Sequence, residues 1–274
     1  MTSSLAGRVA IITGGARGIG KALAKALAGR DCYVVIADIN RDDLTRTLEE
    51  LRDGGAQAEA QVVDVRDPGQ VEGLICGTHA SLGRIDYLFN NAGLNVFAEV
   101  LDTSLEDWNQ LIDVNLRGVV HGVHFAYPLM CKQGFGHIIN TASVAGIAPT
   151  PMEAAYAATK HAVVGMSTAL RIEAEAYGVA VSVVCPGAVD TPILHTSKHV
   201  KFDADAILEL SPEKPIPPER AAKLIMKGVD RGRFFIVISK TANAFWRTYR
   251  VAPESSLAIG KLVINKIRSI KRDV

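Results

Sequence analysis

Residues 9–20 read VAIITGGARGIG and combine two features on which the predicted fold depends. The first part of this stretch is a short apolar run with β-branched residues, and its second part is a glycine-rich turn that opens a helical pattern near Gly18. Glycines permit a tight turn and a close approach of the backbone to a pyrophosphate, and the first helical turn offers unpaired N–H groups. Such a turn alone is weak evidence, because it also serves as a plain strand-to-helix connection. In this context it predicts a nucleotide-binding unit.

Short apolar runs without polar alternation recur along the rest of the chain and are separated by segments of helical period. Runs of this kind are typical of strands buried on both faces of a parallel sheet, and their alternation with helices indicates a doubly wound α/β sheet. The predicted strands are Val9–Thr13, Tyr33–Ala37, Val62–Val65, Tyr87–Phe89, His137–Asn140, Val179–Cys185 and Phe234–Ile238. The predicted helices are 18–29, 41–53, 68–82, 104–132, 152–177 and 218–231. The pattern predicts one seven-stranded domain over residues 1–239 and an extension over 240–274.

The composition excludes several classes of protein. With 48% hydrophobic and 22% charged residues among 274, the chain does not resemble disordered, collagen-like or coiled-coil sequences. A net charge of +1 argues against a body-wide basic surface for nucleic acid. The four cysteines are far apart and the N-terminus lacks a secretory pattern, which together favour a reduced, cytoplasmic protein.

Asp38 follows the glycine-rich turn at the end of the second predicted strand. A carboxylate at this place accepts hydrogen bonds from the adenosine ribose and repels a 2′-phosphate, so it favours NAD over NADP. Arg17 in the turn argues the other way, since it can meet a 2′-phosphate. Asp38 carries more weight, because an arginine can point to solvent whereas a carboxylate beside a phosphate is costly.

Tyr156 and Lys160 are four residues apart and therefore share one face of a predicted helix. A phenol has a pKa near 10 and is a poor base at neutral pH, but a positive charge about 4 Å away lowers that pKa by up to about three units. Ser143, beyond the fifth predicted strand, can hold a substrate oxygen against the phenol. The three residues together predict proton transfer to or from an alcohol or carbonyl oxygen.

The chain has four motifs in this order: the glycine spacing, Asn90-Asn91-Ala92-Gly93, Tyr-x-x-x-Lys and Pro186-Gly187. The short-chain dehydrogenase/reductases have these motifs in the same order, and residues 5–239 resemble that family. The resemblance implies a single-domain Rossmann fold, a nicotinamide cofactor and direct hydride transfer. It implies a fourth catalytic residue, Asn115, which helps to hold a water linked to the lysine, and dimers or tetramers paired through helices 104–132 and 152–177. The cofactor-binding residues it implies are Gly14, Arg17, Gly18, Ile19, Gly20, Asp38, Asp64, Val65, Asn91, Ala92, Gly93, Tyr156, Lys160, Pro186, Gly187, Val189 and Thr191.

Two alternatives use the same fold: a non-catalytic NAD-binding regulator and an NADP-dependent carbonyl reductase. A serine hydrolase is rejected, because Gly165–Ala169 lacks the last glycine of a nucleophile elbow and lies within a predicted helix. A metal site is not expected, because neither histidine pair, His121/His124 or His195/His199, has a carboxylate in a zinc-binding pattern.

The predicted walls of the substrate pocket are mostly apolar and contain no arginine to hold a carboxylate. They indicate a hydrophobic alcohol or ketone, of the steroid, terpene or lipid kind. The predicted substrate contacts are Ser143, Tyr156, Val96, Ile147, Met152 and Ile193. Residues 190–217 are expected to form a mobile lid over the site.

The extension carries eight basic and two acidic residues, whereas residues 1–239 carry a net negative charge. From residue 259 onward an apolar helical face is predicted, formed by Ile259, Leu262, Val263, Ile267 and Ile270. A basic amphipathic helix of this kind docks on the body or on a neighbouring subunit, or lies on an anionic membrane through residues 255–274; disorder of the tail is the third alternative. Docking is the favoured interpretation.

Overall fold

Seven of the strands form one parallel sheet in a computed structural model, which describes residues 4–203, 206–207 and 214–270. In chain order the described strands are β1 Val9–Thr13, β2 Tyr33–Asp38, β3 Ala58–Val62, β4 Tyr87–Asn90, β5 Val96–Phe97, β6 Gly136–Thr141, β7 Val179–Pro186, β8 Lys198–His199 and β9 Phe235–Ile238. The sheet order is β3-β2-β1-β4-β6-β7-β9, and every pairing within it is parallel. The predicted seven-stranded sheet is confirmed.

Helices cover both faces of the sheet. The described helices are α1 Gly18–Ala28, α2 Arg41–Asp53, α3 Pro68–Leu82, α4 Leu105–Ile112, α5 Gly118–Gln133, α6 Ala154–Ala174, α7 Pro192–Thr196, α8 Pro218–Val229, α9 Lys240–Val251 and α10 Pro253–Arg268. On one face Leu23 of α1 and Ile225 of α8 belong to a buried cluster with Ile12 and Ile36. On the other face Leu74 of α3 and Met130 of α5 pack with Ile11. Strands covered on both faces explain why their sequences are continuously apolar.

The third strand differs from its prediction. The apolar run Val62–Val65 was expected to be the strand, but β3 is Ala58–Val62, paired from Ala58 opposite Val34. This strand is at the edge of the sheet, only Ala58 in it is buried, and its sequence mixes apolar with polar residues. The buried residues Val63 and Val65 lie just beyond it. An edge strand has one weakly covered face and therefore loses the signal by which central strands are recognised.

The helix predicted over 104–132 consists of two helices joined by a π-helical turn, Asp113–Arg117. Turns of this type widen the helix locally and are frequent at functional sites. The predicted lid begins with α7 and β8, and β8 pairs in parallel with β5 in a small second sheet that the sequence did not indicate. Residues 204–205 and 208–213 of the lid lie outside the described residues.

The C-terminal extension forms α9 and α10 and lies against the domain. Trp246 of α9 packs against Phe235 of the last sheet strand, with tilted rings whose centroids are 5.0 Å apart. Ile267 of α10 is buried with Phe97 and Met152, and Arg268 pairs with Glu99 at 2.8 Å. The prediction of docking on the body is confirmed for this edge of α10. Among the helices in the described part of the chain, none is both long and apolar enough to cross a membrane.

Candidate active site

The carboxyl ends of the sheet strands meet at one edge, and the candidate site is built on the loops that leave this edge. The chain passes from β1 to β2 on one side and later returns to β4 on the other side of β1. The order of the sheet therefore reverses between β1 and β4. In open α/β sheets, the crevice outside such a reversal is where ligands bind.

The glycine-rich turn has a backbone that only glycine fits well. Gly14 and Gly18 have φ of +63° and +52°, in the left-handed region. A Cβ on Gly20 would lie 2.0 Å from the carbonyl oxygen of Gly14. Each additional side chain would thus displace the turn or the start of α1. Ile19 is half-buried and packs on the apolar cluster beneath, which anchors the first turn of that helix.

The turn after β4 is tied directly to the glycine-rich turn. The hydroxyl oxygen of Thr13 accepts hydrogen bonds from the backbone N–H groups of Asn91 and Ala92, at 3.0 and 3.2 Å. The Asn91 side chain donates to the carbonyl oxygen of Gly14 at 3.1 Å. These bonds fix Asn91, Ala92 and the adjoining Gly93 beside the glycine-rich turn of residues 14–20, which we call the glycine cradle, as the family resemblance implies.

Asp38 ends β2 beside the same cradle. Its carboxylate accepts hydrogen bonds from the backbone N–H groups of Ala16 and Asn40, at 3.2 and 3.1 Å. Arg17, the residue that argued for NADP, forms an ion pair with Asp43 at 3.1 Å. The glycines leave room for a pyrophosphate, and the Asp38 carboxylate is held where it can accept hydrogen bonds from a ribose. Together these groups fit a dinucleotide.

The remaining predicted cofactor residues fall into two groups. Thr191 and Pro192 lie against Gly18, so the segment after β7 reaches the cradle, with Pro186 ending β7 and Gly187 and Val189 following it. Asp64 and Val65 lie in the loop after β3 rather than in a strand. The Asp64 carboxylate is bound by Arg66, which lowers its pKa.

Tyr156 lies in the first turn of α6 with Ser143 facing it. Ser143 caps a short helical turn after β6 and accepts a hydrogen bond from the backbone N–H of Ala145 at 3.1 Å. Burial, followed by the charge of Glu153, raises the pKa of Tyr156, and a hydrogen bond with Ser143 opposes the rise. Desolvation of the phenolate therefore outweighs, in the chain by itself, the lowering of this pKa that the sequence predicted from a nearby positive charge.

Lys160 is 2% exposed, and its ammonium group lies 5.5 Å from the centre of the Tyr156 ring. It donates one hydrogen bond to the carbonyl oxygen of Thr141 at 3.0 Å. Burial lowers its pKa from 10.5 to about 8. The lysine is therefore held under the phenol with further N–H donors to spare.

Asn115 is fully buried in the π-helical turn. Its side-chain amide accepts a hydrogen bond from the backbone N–H of Leu94 and donates one to the Leu94 carbonyl, both at 2.9 Å. It also donates to Thr159 at 3.4 Å. Asn115 thus connects the turn after β4 to α6, the helix of Tyr156 and Lys160.

The predicted substrate contacts are divided by the structure. Val96 is buried in a cluster that includes Ala155, and Tyr156 packs against it. Met152 belongs instead to the cluster with Phe97 and Ile267, so it faces the C-terminal helix. Ile147 packs in a core cluster with Val163 and Val183, away from Val96. Ile193 is half-buried in α7.

Sequence reasoning missed a polar pair in this wall. Asn95 donates a hydrogen bond to Glu153 at 2.5 Å, and burial raises the pKa of Glu153 to about 7. The signal was present in the spacing, because Glu153 precedes Tyr156 by one helical turn. The sequence also did not indicate that Ile264 and Ile267 of α10 pack against Phe97 and Met152 at one side of the substrate wall, since the C-terminal extension matched no motif.

The family model for short chain dehydrogenases matches residues 8–201. The chain belongs to this family. Members are oxidoreductases that use a nicotinamide cofactor. In this chain the four residues predicted to be catalytic lie near one another at the carboxyl edge described above.

Two similar proteins within the family have names that describe them as dehydrogenases of ring alcohols. The chain is 31% identical over 229 residues to cyclohexanol dehydrogenase of Acinetobacter sp. strain SE19, covering 82% of this chain and 88% of that protein. It is 38% identical over 193 residues to 2,5-dichloro-2,5-cyclohexadiene-1,4-diol dehydrogenase of Sphingobium indicum, covering 70% and 77%. A crystal structure of a short chain dehydrogenase/reductase from Burkholderia phymatum in complex with NAD matches with a TM-score of 0.84 at 31% identity, covering 92% and 96%.

Proposed function

We propose that this short-chain dehydrogenase is an NAD-dependent oxidoreductase that transfers hydride between the nicotinamide and a hydrophobic ring alcohol or ketone. The observation that carries the proposal is the arrangement of three side chains at the carboxyl edge of the sheet. The phenol of Tyr156 interacts with Ser143, and the buried ammonium group of Lys160 lies over the tyrosine ring. This set stands beside a glycine cradle that fits a dinucleotide.

The chain's own residues handle the proton and the orientation of the reacting oxygen. Tyr156 exchanges a proton with the substrate oxygen, and Ser143 donates a hydrogen bond that holds this oxygen against the phenol. Lys160 stabilises the phenolate once the proton has left and offers its free N–H donors to the nicotinamide ribose. The nicotinamide, when bound, supplies the group that takes or gives the hydride. Asn115 keeps the turn after β4 in register with α6.

The raised pKa of Tyr156 gives the site a preferred protonation state. A phenol that keeps its proton at neutral pH is ready to donate it to a carbonyl oxygen, which suits ketone reduction. Alcohol oxidation needs the phenolate, so its rate should increase with pH. Both reaction directions use the same residues. Neutral pH favours ketone reduction, and alkaline pH favours alcohol oxidation.

The apolar wall supports a hydrophobic substrate. Val96, Leu94 and Trp108 pack around Tyr156, and Phe97 and Met152 continue the apolar surface toward α10. The ring alcohols in the names of the two similar proteins support a cyclic secondary alcohol of similar size. The test is a screen of cyclic alcohols with NAD and NADP in parallel, followed by the absorbance of the reduced cofactor. Cofactor binding without turnover of any alcohol or ketone would favour a non-catalytic regulator instead.

Cofactor preference is tested at Asp38. Replacing Asp38 by Ser should weaken NAD binding about tenfold or more, because it removes a charged acceptor for the ribose hydroxyls, and should improve binding of NADP. Asp53→Ser, an exposed carboxylate on α2, is the matched control and should change neither affinity. Titration of the tyrosine and tryptophan fluorescence of the three proteins with each cofactor gives the six dissociation constants. Tighter binding of NADP than of NAD by the unaltered protein would contradict the proposal.

We also propose that the enzyme is a homo-oligomer that works in the reducing cytoplasm. Val120 of α5 and Ile172 of α6 are exposed apolar residues, 41% and 73% accessible, on the two helices that family members pair. The four cysteines, Cys32, Cys76, Cys131 and Cys185, are free thiols. Light scattering of the full chain gives the number of subunits.

Contact of the extension with an anionic membrane stays a prediction. Ile264 and Ile267 of α10 face the body, but Ile259 and Val263 remain 48% and 45% exposed next to Lys266. If this outer face binds lipid, full-length protein should sediment with vesicles of phosphatidylserine and phosphatidylcholine, and the double variant Ile259→Gln, Val263→Gln should not. Leu105→Gln is the control, because Leu105 is an exposed apolar residue on α4. Equal sedimentation of all three proteins would exclude a role of this face.

A further inference from the structure

A polar pair interrupts the apolar wall next to the reacting oxygen. The Asn95 side chain donates a hydrogen bond to the Glu153 carboxylate at 2.5 Å. Asn95 lies between Leu94 and Val96, which pack in the cluster around Tyr156, and Glu153 precedes Tyr156 by one turn of α6. The pair therefore lies beside the phenol, within the apolar wall that would cover the ring of a substrate.

The pair is incompletely satisfied. Among the described residues, the side-chain oxygen of Asn95 is one of the few buried polar side-chain atoms without a hydrogen-bond partner. Buried polar atoms are nearly always paired, because leaving one unpaired costs its full desolvation penalty. The unpaired amide oxygen of Asn95 and the carboxylate of Glu153 that it adjoins thus offer hydrogen bonds that the protein itself does not use.

The backbone holds these groups in place. The N–H of Ala98 donates to the carbonyl of Met152 at 2.8 Å, so the segment after Asn95 is bonded to the segment before Glu153. Met152 has a φ of +71°, a strained value for a residue with a long side chain. Strain of this kind is retained where the surroundings fix the conformation, and it occurs often at ligand sites.

We infer that Asn95 and Glu153 bind a second hydroxyl group of the substrate, distinct from the oxygen that reacts at Tyr156. The substrate class of the proposed function is thereby narrowed to ring diols and hydroxyketones, and the inference rests on that function. Oxidation of the reacting carbinol sends its hydride to the nicotinamide and its hydroxyl proton to Tyr156. The second hydroxyl stays unchanged throughout.

A hydroxyl suits the pair better than an ammonium group. Carboxylate and amide oxygens accept hydrogen bonds, and a hydroxyl both donates and accepts, so it satisfies Glu153 with or without its proton. Burial raises the pKa of this carboxyl to about 7, so both forms occur near neutral pH. An ammonium ion would lose its hydration among the apolar residues Val96, Ala155 and Trp108.

The test compares cyclohexanol with cyclohexane-1,2-, 1,3- and 1,4-diol as substrates of the full-length protein with NAD. For at least one diol, kcat/KM should exceed that for cyclohexanol by about tenfold to hundredfold, as for a hydrogen bond to a charged group. In Glu153→Leu the ratio of diol to cyclohexanol should fall about tenfold or more, and Glu153→Gln should restore part of it. The ratio is the informative quantity, because any influence of Glu153 on Tyr156 affects both substrates equally.

Glu173→Leu is the matched control, since Glu173 is an exposed carboxylate on the same helix. Asn95→Ala is the second variant and should lower the same ratio. An unchanged ratio in both Glu153→Leu and Asn95→Ala would overturn the inference, as would a preference for 4-aminocyclohexanol over the diols. If no ring alcohol is oxidised, the proposed function fails separately. Calorimetry with NADH and the same compounds then decides the inference, and equal affinities for diol and cyclohexanol overturn it.

Discussion

Tyr156→Phe should lower kcat by about 10²–10⁴-fold, the usual contribution of a positioned proton donor or acceptor. The variant keeps the ring that packs with Val96 and Ala155 and loses only the hydroxyl that faces Ser143. The fold and the cradle around Gly14 are therefore expected to persist, and NAD should bind with nearly unchanged affinity. Steady-state kinetics with the best ring alcohol, together with fluorescence titration of NAD, measure the two quantities.

The control for Tyr156→Phe is Tyr177→Phe, which removes a phenol that is 54% exposed at the end of α6. It should retain full activity. Retention of more than a tenth of the rate by Tyr156→Phe would remove Tyr156 from the proton transfer. The pH profile adds an independent readout. Because burial and Glu153 raise the pKa of Tyr156, the oxidation rate should increase toward alkaline pH and the reduction rate should decrease.

The central sheet could be predicted from sequence because its strands are covered on both faces. Ile11 and Ile12 of β1 point to opposite clusters, and both are fully buried, so the strand reads as a continuous apolar run. β3 lies at the edge and has no such run, which displaced its prediction by several residues. The short pair of β5 and β8 depends on contacts across a hundred residues, and two-residue strands carry no periodicity to detect.

The catalytic residues could be predicted because their spacing follows from helix geometry and from the order of the strands. Their electrostatics could not, since the pKa of Tyr156 depends on the depth of the phenol and on Glu153, and neither is visible from Tyr-x-x-x-Lys. The substrate wall was only partly predictable. Met152 and Ile147 are both apolar residues near α6, and only the packing assigns one to the surface below α10 and the other to the core.

Lys160→Met is expected to have two separable effects. The first is a decrease in kcat/KM of about tenfold to hundredfold, because charged hydrogen bonds worth about 1.5–3 kcal/mol are lost from the ribose and from the phenolate. The second concerns stability, because Lys160 is charged and buried in a position where burial lowers its pKa from 10.5 to about 8. Lys223→Met, an exposed lysine on α8, is the control for both measurements.

The sign of the stability effect follows from proton linkage. Between pH 8 and 10.5 the unfolded chain keeps a proton on Lys160 that the folded protein has released, so the free energy of unfolding rises with pH in this window. Lys160→Met lacks this dependence. The difference in unfolding free energy between the original protein and Lys160→Met should change by about 2–3 kcal/mol from pH 7 to 10, in favour of the original protein. In Lys160→Met the Thr141 carbonyl loses its hydrogen-bond donor. This loss alters the unfolding free energy of the variant by the same amount at each pH, so the expected change between pH 7 and 10 remains. Urea unfolding of both proteins at several pH values measures it, and parallel stability curves would show that Lys160 has an ordinary pKa in the folded state.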